Sequence, residues 1–367
     1  MMKGFFTGIM AFLFLTDVAF AQYLPADSIP VDKLILPEGY KIEVYASGLP
    51  DARAMDFGDD GTLFVGSLSA GKIYAITKDR QVIIVDEGLE MPAGLDFYEG
   101  DLYVAEVSRI IKYENILAEM LSDPGPVVIN GNFPKEDRQG WKFIRIGPDL
   151  KMYITVSAGC NACLPDSAWH ARILRMTLDG SSLEIFASGV RDCQGIDWDP
   201  TLGVMWFTDM GRDDLGDNFP PDELNKAIID SQHFGFPYVA GGKPDMQFWP
   251  QKPRNVPFTN AAKELPPHSG VQGLRFYTGK MYEEKYRGGI FIAEHGYWGR
   301  TLKAGYKVSF VPLNKEGRPM GYEVFCEGWL QDEFPWGRPA DVQPGPDGAL
   351  YVSDDLAGCI YRIYREF

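Results

Sequence analysis

Six times along 367 residues the same short pattern returns: an apolar strand, a turn built on Asp or Gly, and a second strand rich in Tyr, Phe, Val and Ile. The copies are MDFGDDGTLFVGS from Met55, LDFYEGDLYVAE from Leu95, IRIGPDLKMYITVS from Ile144, IDWDPTLGVMWFTD from Ile196, LRFYTGK with GGIFIAEHG from Leu274, and VQPGPDGALYVSDD from Val342. Each holds a turn signal such as DG or GPD between alternating residues, as a β-hairpin requires. The repeats lie further apart than the roughly 40 to 50 residues of a minimal four-stranded blade, which leaves room for loops inserted on one face. The expected fold is all-β: a six-bladed β-propeller of four-stranded blades, with a stacked pair of β-sandwiches as the alternative.

A propeller must close its ring. YKIEVYAS from Tyr40 and GCIYRIYR from Gly358 are strands from the two ends of the chain that can pair in one blade. That pairing predicts a single domain over residues 22–367 with no flexible linker. The gap between the fourth and fifth repeats, about Gly211 to Gly270, is rich in Pro and Gly and is expected to form a loop platform over the channel mouth. Helical periodicity is confined to short pieces near Glu114 to Ser122 and Pro221 to Asp230.

The first residues, MMKGFFTGIMAFLFLTDVAFAQ, carry an early cation at Lys3, an apolar run from Gly4 to Leu15, and small residues at Ala19 and Ala21. They read as a secretory signal peptide over residues 1–21, so a periplasmic or secreted protein is expected. No later segment approaches 18 uninterrupted apolar residues, and the chain is not expected to span a membrane. A net charge of −16 and a pI near 4.7 argue against nucleic acid as a partner, because phosphate binding needs a basic face. Of the five cysteines, Cys160 and Cys163 in CNAC are close enough to bridge. Leu164 stands where covalent haem attachment would need His, and zinc would need more Cys or His nearby.

Walker, GxSxG, HExxH and GxGxxG motifs are all absent. Any chemistry must come from arginines, carboxylates and a bound cofactor. The densest polar segment, residues 189 to 225, holds Arg191, Asp192, Gln194 and Arg212 among acids that include Asp209, Asp213, Asp214, Asp217 and Glu223. Carboxylates interleaved with Gly and Pro suit Ca²⁺, although the spacing is not that of an EF-hand. A solvated loop is the plain alternative.

The segments LPEGYKIEVYASGLPDAR, GWKFIRIGPDLKMYITVSAGCNAC, ASGVRDCQGIDWDPTLGVMWFTDMGRDDLGD, FIAEHGYWGR and GRPADVQPGPDGALYVSDDLAGCIYRI resemble the sorbosone dehydrogenase and soluble glucose dehydrogenase family, from about Leu36 to the C-terminus. The resemblance implies pyrroloquinoline quinone (PQQ) and Ca²⁺ at the channel mouth and oxidation of a sugar hydroxyl or aldehyde hydrate by hydride transfer. A separate cytochrome or quinone would accept the electrons. Such a cofactor carries three carboxylates and two quinone oxygens, so its site calls for arginines and a metal. Arg191, Arg300 and Arg338 stand in motifs that resemble the family's, as do Gln194 and His295. Asp192 replaces the family's Asn, and an acid there repels carboxylates unless it is protonated or paired. The family's calcium is held partly by two backbone carbonyls that correspond to Gly211 and Arg212, with Asp213, Asp214 and Asp217 as neighbouring candidates.

The resemblance also places a base histidine where this chain has Gln139, in FPKEDRQGWKFIRIGPD. A glutamine amide takes no proton near neutral pH. The base must then have moved, with Asp137, Asp192 or His295 as candidates, or the propeller binds sugars or a partner without catalysing the reaction. A Ca²⁺-dependent lactonase is the remaining alternative and needs carboxylates gathered in the channel.

Overall fold

The computed structural model describes residues 25–122, 124–135, 140–165, 167–297 and 299–366. The expected signal segment, residues 1–21, lies outside them, as do Asp137 and Gln139.

Six four-stranded antiparallel sheets follow one another along the chain. Blade one is Ala52–Phe57, Leu63–Ser67, Lys72–Ile76 and Val82–Glu87. Blade two is Gly94–Tyr98, Asp101–Ala105, Ile110–Tyr113 and Val127–Asn130. Blade three is Ile144–Ile146, Lys151–Val156, Arg172–Thr177 and Glu184–Ser188. Blade four is Ile196–Trp198, Met205–Asp209, Asp222–Ala227 and Lys263–Leu265. Blade five is Val271–Phe276, Ile290–Glu294, Lys307–Val311 and Glu323–Glu327. Blade six joins Pro339–Pro344, Leu350–Asp354 and Cys359–Arg365 to Tyr40–Ser47 from the other end of the chain. Tyr40 lies opposite Arg365 and Ser47 opposite Cys359, the closure anticipated from sequence. No helix among the described residues is long and apolar enough to cross a membrane.

Every repeat noticed in the sequence is the first two strands of a blade, and the first strands of successive blades pack against one another around the axis. At the matching position in each first strand stands a polar residue: Asp56, Asp96, Arg145, Asp197, Arg275 and Gln343. Across its own ladder each faces an aromatic one: Phe64, Tyr103, Tyr153, Trp206, Phe291 and Tyr351. The polar ring also ties blades together. Asp56, Asp96 and Asp197 accept the backbone N–H of Phe97, Ile146 and Phe276 from the next blade at 2.9, 2.6 and 2.8 Å. Arg145 bridges Asp56 and Asp96, and Arg275 bonds Gln343, which in turn donates to Asp56. Apolar side chains fill the spaces between neighbouring sheets, with clusters such as Leu95, Val104 and Ile111, or Tyr361, Val352 and Trp329.

Pro221 to Asp230 is not helical. Residues Asp222–Ala227 form the third strand of blade four, where Asp209 lies opposite Glu223 and Phe207 opposite Asn225. The pairing with Met205–Asp209 overrides a weak helical period in a short polar run. The expected loop platform therefore holds two blade strands. Its remainder includes Gln232–His233, which extends blade three by pairing parallel to Glu184–Ser188.

Candidate functional site

First strands begin, and second strands end, at one mouth of the channel. Residues at those junctions converge on a cavity of about 540 Å³, lined by Arg53, Trp141, Arg191, Asp192, Met210, Gly211, Asp213, Asp222, His268, Gln272, His295, Tyr297, Lys303, Tyr306 and Arg338 among others. The volume lies within the range of small-molecule and cofactor sites.

The wall is organised around Asp355, which follows the second strand of blade six and is buried. Its carboxylate receives His295 Nε2 at 2.9 Å, Arg53 Nη2 at 2.9 Å and Arg338 Nε at 3.0 Å. Burial works against this charge, yet the hydrogen bond from His295 and the charges of Arg53 and Arg338 hold the carboxyl below the usual carboxylate range. Burial lowers the His295 imidazole below its ordinary value even though Asp355 pulls it upward. The ring is therefore neutral at neutral pH. With Nε2 donating to Asp355, Nδ1 carries the lone pair and has no hydrogen-bond partner among the described residues. Arg53 also reaches the Gln272 amide oxygen, while its Nε is buried without a partner among the described residues, as is the Trp141 indole N–H.

Opposite stands the junction of blades three and four. Asp209, at the end of a second strand, accepts the backbone N–H groups of Arg191 at 2.9 Å and Asp192 at 2.7 Å, which fixes the turn that carries them. Each guanidinium nitrogen of Arg191 makes a hydrogen bond: Nε to the Asn161 carbonyl at 2.9 Å, Nη2 to the Asn161 side chain at 3.1 Å, and Nη1 to the Met210 carbonyl at 3.2 Å. Asp192 is buried and accepts from Ser157 Oγ at 2.8 Å and Gln194 Nε2 at 2.9 Å. Both donors are neutral groups rather than cations. Asp213 is 3.8 Å from Arg191 and takes the Tyr297 hydroxyl, which together with burial raises that phenol. Cys160 and Cys163 are bridged, with their Cα atoms 6.2 Å apart.

The fold thus brings Arg191, Asp192, His295, Arg338, Gly211 and Asp213 to one cavity. Gln194 lies beneath it in a small adjoining space with Arg53, Trp141 and Gln272. Arg300 turns aside, its Nη1 on the Pro267 carbonyl at 3.0 Å. Arg212 pairs with Asp245 at 2.5 Å, away from the cavity. Asp214 accepts from Asn161, and Asp217 takes the Thr301 backbone N–H, so both fasten loops. The Gly211 and Arg212 carbonyls accept no hydrogen bond among the described residues. Nor do three His, Cys, Asp or Glu side chains converge on a metal position among those residues. Any cation here would rest on backbone oxygens. Arg53, Asp355, Gln272 and His268 escaped the sequence reading. Asp355 had one signal: in the SDD of the sixth repeat it directly follows Asp354, which stands where the fourth repeat has Asp209.

Residues 144–362 match the model of the family described as Glucose / Sorbosone dehydrogenase. A protein of Borreliella burgdorferi, described as uncharacterized, is 32% identical over 347 residues, covering 91% of each chain. Among solved structures, the holo PQQ domain of pyranose dehydrogenase from Coprinopsis cinerea superimposes with a TM-score of 0.75 at 16% identity, over 90% of this chain and 97% of that one. The PQQ-bound aldose sugar dehydrogenase of Streptomyces coelicolor gives 0.65 at 18% identity, over 90% and 100%. Those two share the fold, and with the family match the conclusion is direct: this chain belongs to the glucose/sorbosone dehydrogenase family.

Proposed function

We propose that the protein is a sugar dehydrogenase that binds PQQ and Ca²⁺ in the 540 Å³ cavity and uses His295 as its base. The observation that carries this reading is the convergence of Arg53, Arg338 and His295 on buried Asp355 at the cavity wall. Two relatives of the same fold are described with PQQ bound or as a PQQ domain, which supports the choice of cofactor.

The residues present fit a flat polyanion. Arg338 spends only Nε on Asp355 and keeps its side chain 36% exposed. Arg53 Nε and Trp141 Nε1 are buried donors without partners among the described residues, and such orphans are costly unless a ligand answers them. The lining cations Arg53, Arg191, Lys303 and Arg338 are balanced by Asp192, Asp213, Asp222 and Asp355. A trianion entering this site therefore calls for a further positive charge. The open Gly211 and Arg212 carbonyls are where Ca²⁺ would be held, as a hard cation taking oxygen ligands.

PQQ, when bound, supplies a two-electron acceptor for hydride. The protein supplies orientation and the proton path. Neutral His295 accepts the sugar hydroxyl proton at Nδ1, and Asp355 stabilises the resulting imidazolium through Nε2. Gln139 cannot play that part, whatever its position, because its amide is not a base in this range. We place the protein in the periplasm or outside the cell on the strength of residues 1–21, with a separate cytochrome or quinone taking the electrons.

The test is titration of the purified protein with PQQ and Ca²⁺, followed by absorbance, and then dye reduction with a panel of aldoses. Saturable PQQ binding with aldose-dependent dye reduction is expected. Failure to bind PQQ would overturn the reading, and binding without turnover would mark a propeller that only binds.

A further inference from the structure

Asn161 sits between the two bridged cysteines and makes four hydrogen bonds, to Arg191 and Asp213 of the cavity wall and to Asp214 next to them. Its Oδ1 accepts from Arg191 Nη2 at 3.1 Å and from the Asp213 backbone N–H at 2.7 Å. Its Nδ2 donates to Asp214 at 2.9 Å, and its carbonyl accepts Arg191 Nε at 2.9 Å. One side chain on a loop of blade three thereby fixes the guanidinium of Arg191 and the turn of blade four that follows Gly211 and Arg212. A short loop holds so many partners in register only if its own backbone is confined. Here the Cys160–Cys163 bond confines it, closing a ring of four residues around Asn161 and Ala162. Both cysteines are half-buried at the surface rather than sealed in the core, within reach of a small thiol. Cys193, Cys326 and Cys359 are buried and free, so the bridge is the one accessible redox centre among the described cysteines.

We infer that Asn161 is a positioning residue for the cavity wall and that the Cys160–Cys163 bond is a thiol-sensitive latch on that wall. A dithiol reductant opens it: the S–S bond breaks, two S–H bonds form, and the reductant gives up two electrons and two protons as it becomes a disulfide. Freed of the ring, the loop releases Asn161, and Arg191 and the Asp213–Asp214 turn lose their shared partner. The inference stands on the wall itself and needs no particular ligand.

Hydrogen exchange read by mass spectrometry on the full chain tests it, comparing oxidised protein, dithiothreitol-treated protein, Asn161→Ala, and the double variant Cys160→Ser with Cys163→Ser. Loss of one or two of these bonds raises exchange of the Asp213 region about tenfold in all three altered forms. Exchange in blade one and the overall melting temperature stay close to those of the oxidised protein. Where PQQ binds the oxidised form, its affinity falls in the same three. Free thiols at Cys160 and Cys163 with unchanged exchange around Asp213 would overturn the latch, as would a bond that resists dithiothreitol under native conditions. Unchanged exchange in Asn161→Ala would overturn the positioning role. Failure of the oxidised protein to bind PQQ would count against the proposed dehydrogenase alone.

Discussion

His295 and Asp355 meet at 2.9 Å across the junction of blades five and six, with the carboxylate of Asp355 also serving Arg53 and Arg338. An imidazole held by a buried carboxylate has a fixed tautomer and a stabilised protonated form, which is what a base in a dehydrogenase needs. Replacing His295 by Asn should leave PQQ binding within a few-fold and cut kcat by about 10²- to 10⁴-fold, the usual worth of a positioned base. Steady-state kinetics with the best aldose would check this, and a variant that keeps wild-type kcat would move the base elsewhere.

The same pair dictates how activity responds to pH. His295 must be neutral to accept a proton, and burial lowers its pKa while Asp355 raises it. Activity is therefore retained as pH falls below the ordinary histidine range and is lost only on passing through the lowered value. Asp355→Asn removes the opposing charge, so the acid limb of kcat/KM should move to still lower pH as kcat drops. A limb that moves upward contradicts the assignment. The same substitution strips the buried Arg53 of its counter-charge and should destabilise the fold by about 3–5 kcal/mol in urea unfolding.

Glu223 offers a stability test independent of any ligand. Burial pushes its carboxyl up to about 7, with the charges of Asp222 and Glu264 adding to the effect and Asn225 opposing it. Because the folded pKa is raised above the unfolded one, the folded state binds more protons between about pH 4.5 and 7. Stability contributed by this group therefore falls as pH rises through that window and stays lowered above it. Glu223→Gln should raise the melting temperature at pH 8 and leave it nearly unchanged at pH 4. Equal gains at both pH values would show that its charge is not the cause.

Much of this molecule could be read from sequence because a propeller writes its architecture locally. Each hairpin signals itself through alternation and a turn, and MDF, LDF, IRI, IDW, LRF and VQP all mark the same axial position. The site is harder to read because it is assembled from the ends of hairpins, where no repeat dictates the residue. Arg53 and Asp355 lie at opposite ends of the chain, and only closure of the ring makes them partners. Arg300 illustrates the converse: its motif put it near the mouth, but the turn of its loop sends its guanidinium to the Pro267 carbonyl. Spacing along the chain reports which blade a residue belongs to and says little about where its side chain ends.

Close packing of the inner strands predicts a sharp cost at Gly195. A Cβ built there would lie 2.4 Å from the Gln272 carbonyl oxygen and 2.7 Å from the Leu274 nitrogen, both backbone atoms of the neighbouring first strand. Gly195→Ala must push blades four and five apart, and overpacking of this kind costs about 1–3 kcal/mol. It should also disturb Gln272, which meets Arg53 at the cavity floor. A lowered urea midpoint together with weaker PQQ binding is expected, whereas a midpoint equal to the wild type would show that the blades can separate freely.

Ring closure supplies the last test, because the strand that completes blade six comes from the start of the described chain. Tyr40–Ser47 pairs along the whole of Cys359–Arg365, and the Tyr40 ring packs edge-on against Tyr282, Tyr286 and Phe325 at 4.8, 5.8 and 5.3 Å. Deleting residues 25–47 would bare an unpaired edge and an aromatic pocket together, and such edges recruit other chains. The truncated protein is expected to aggregate. A circular permutant that joins the two ends and opens the turn at Lys78–Gln81 keeps the strand beside its partner and should remain folded and soluble, since pairing rather than position in the chain closes the ring. Aggregation of the permutant to the same extent as the deletion, or a soluble and cooperatively unfolding deletion, would show that closure of blade six is not what holds the propeller shut.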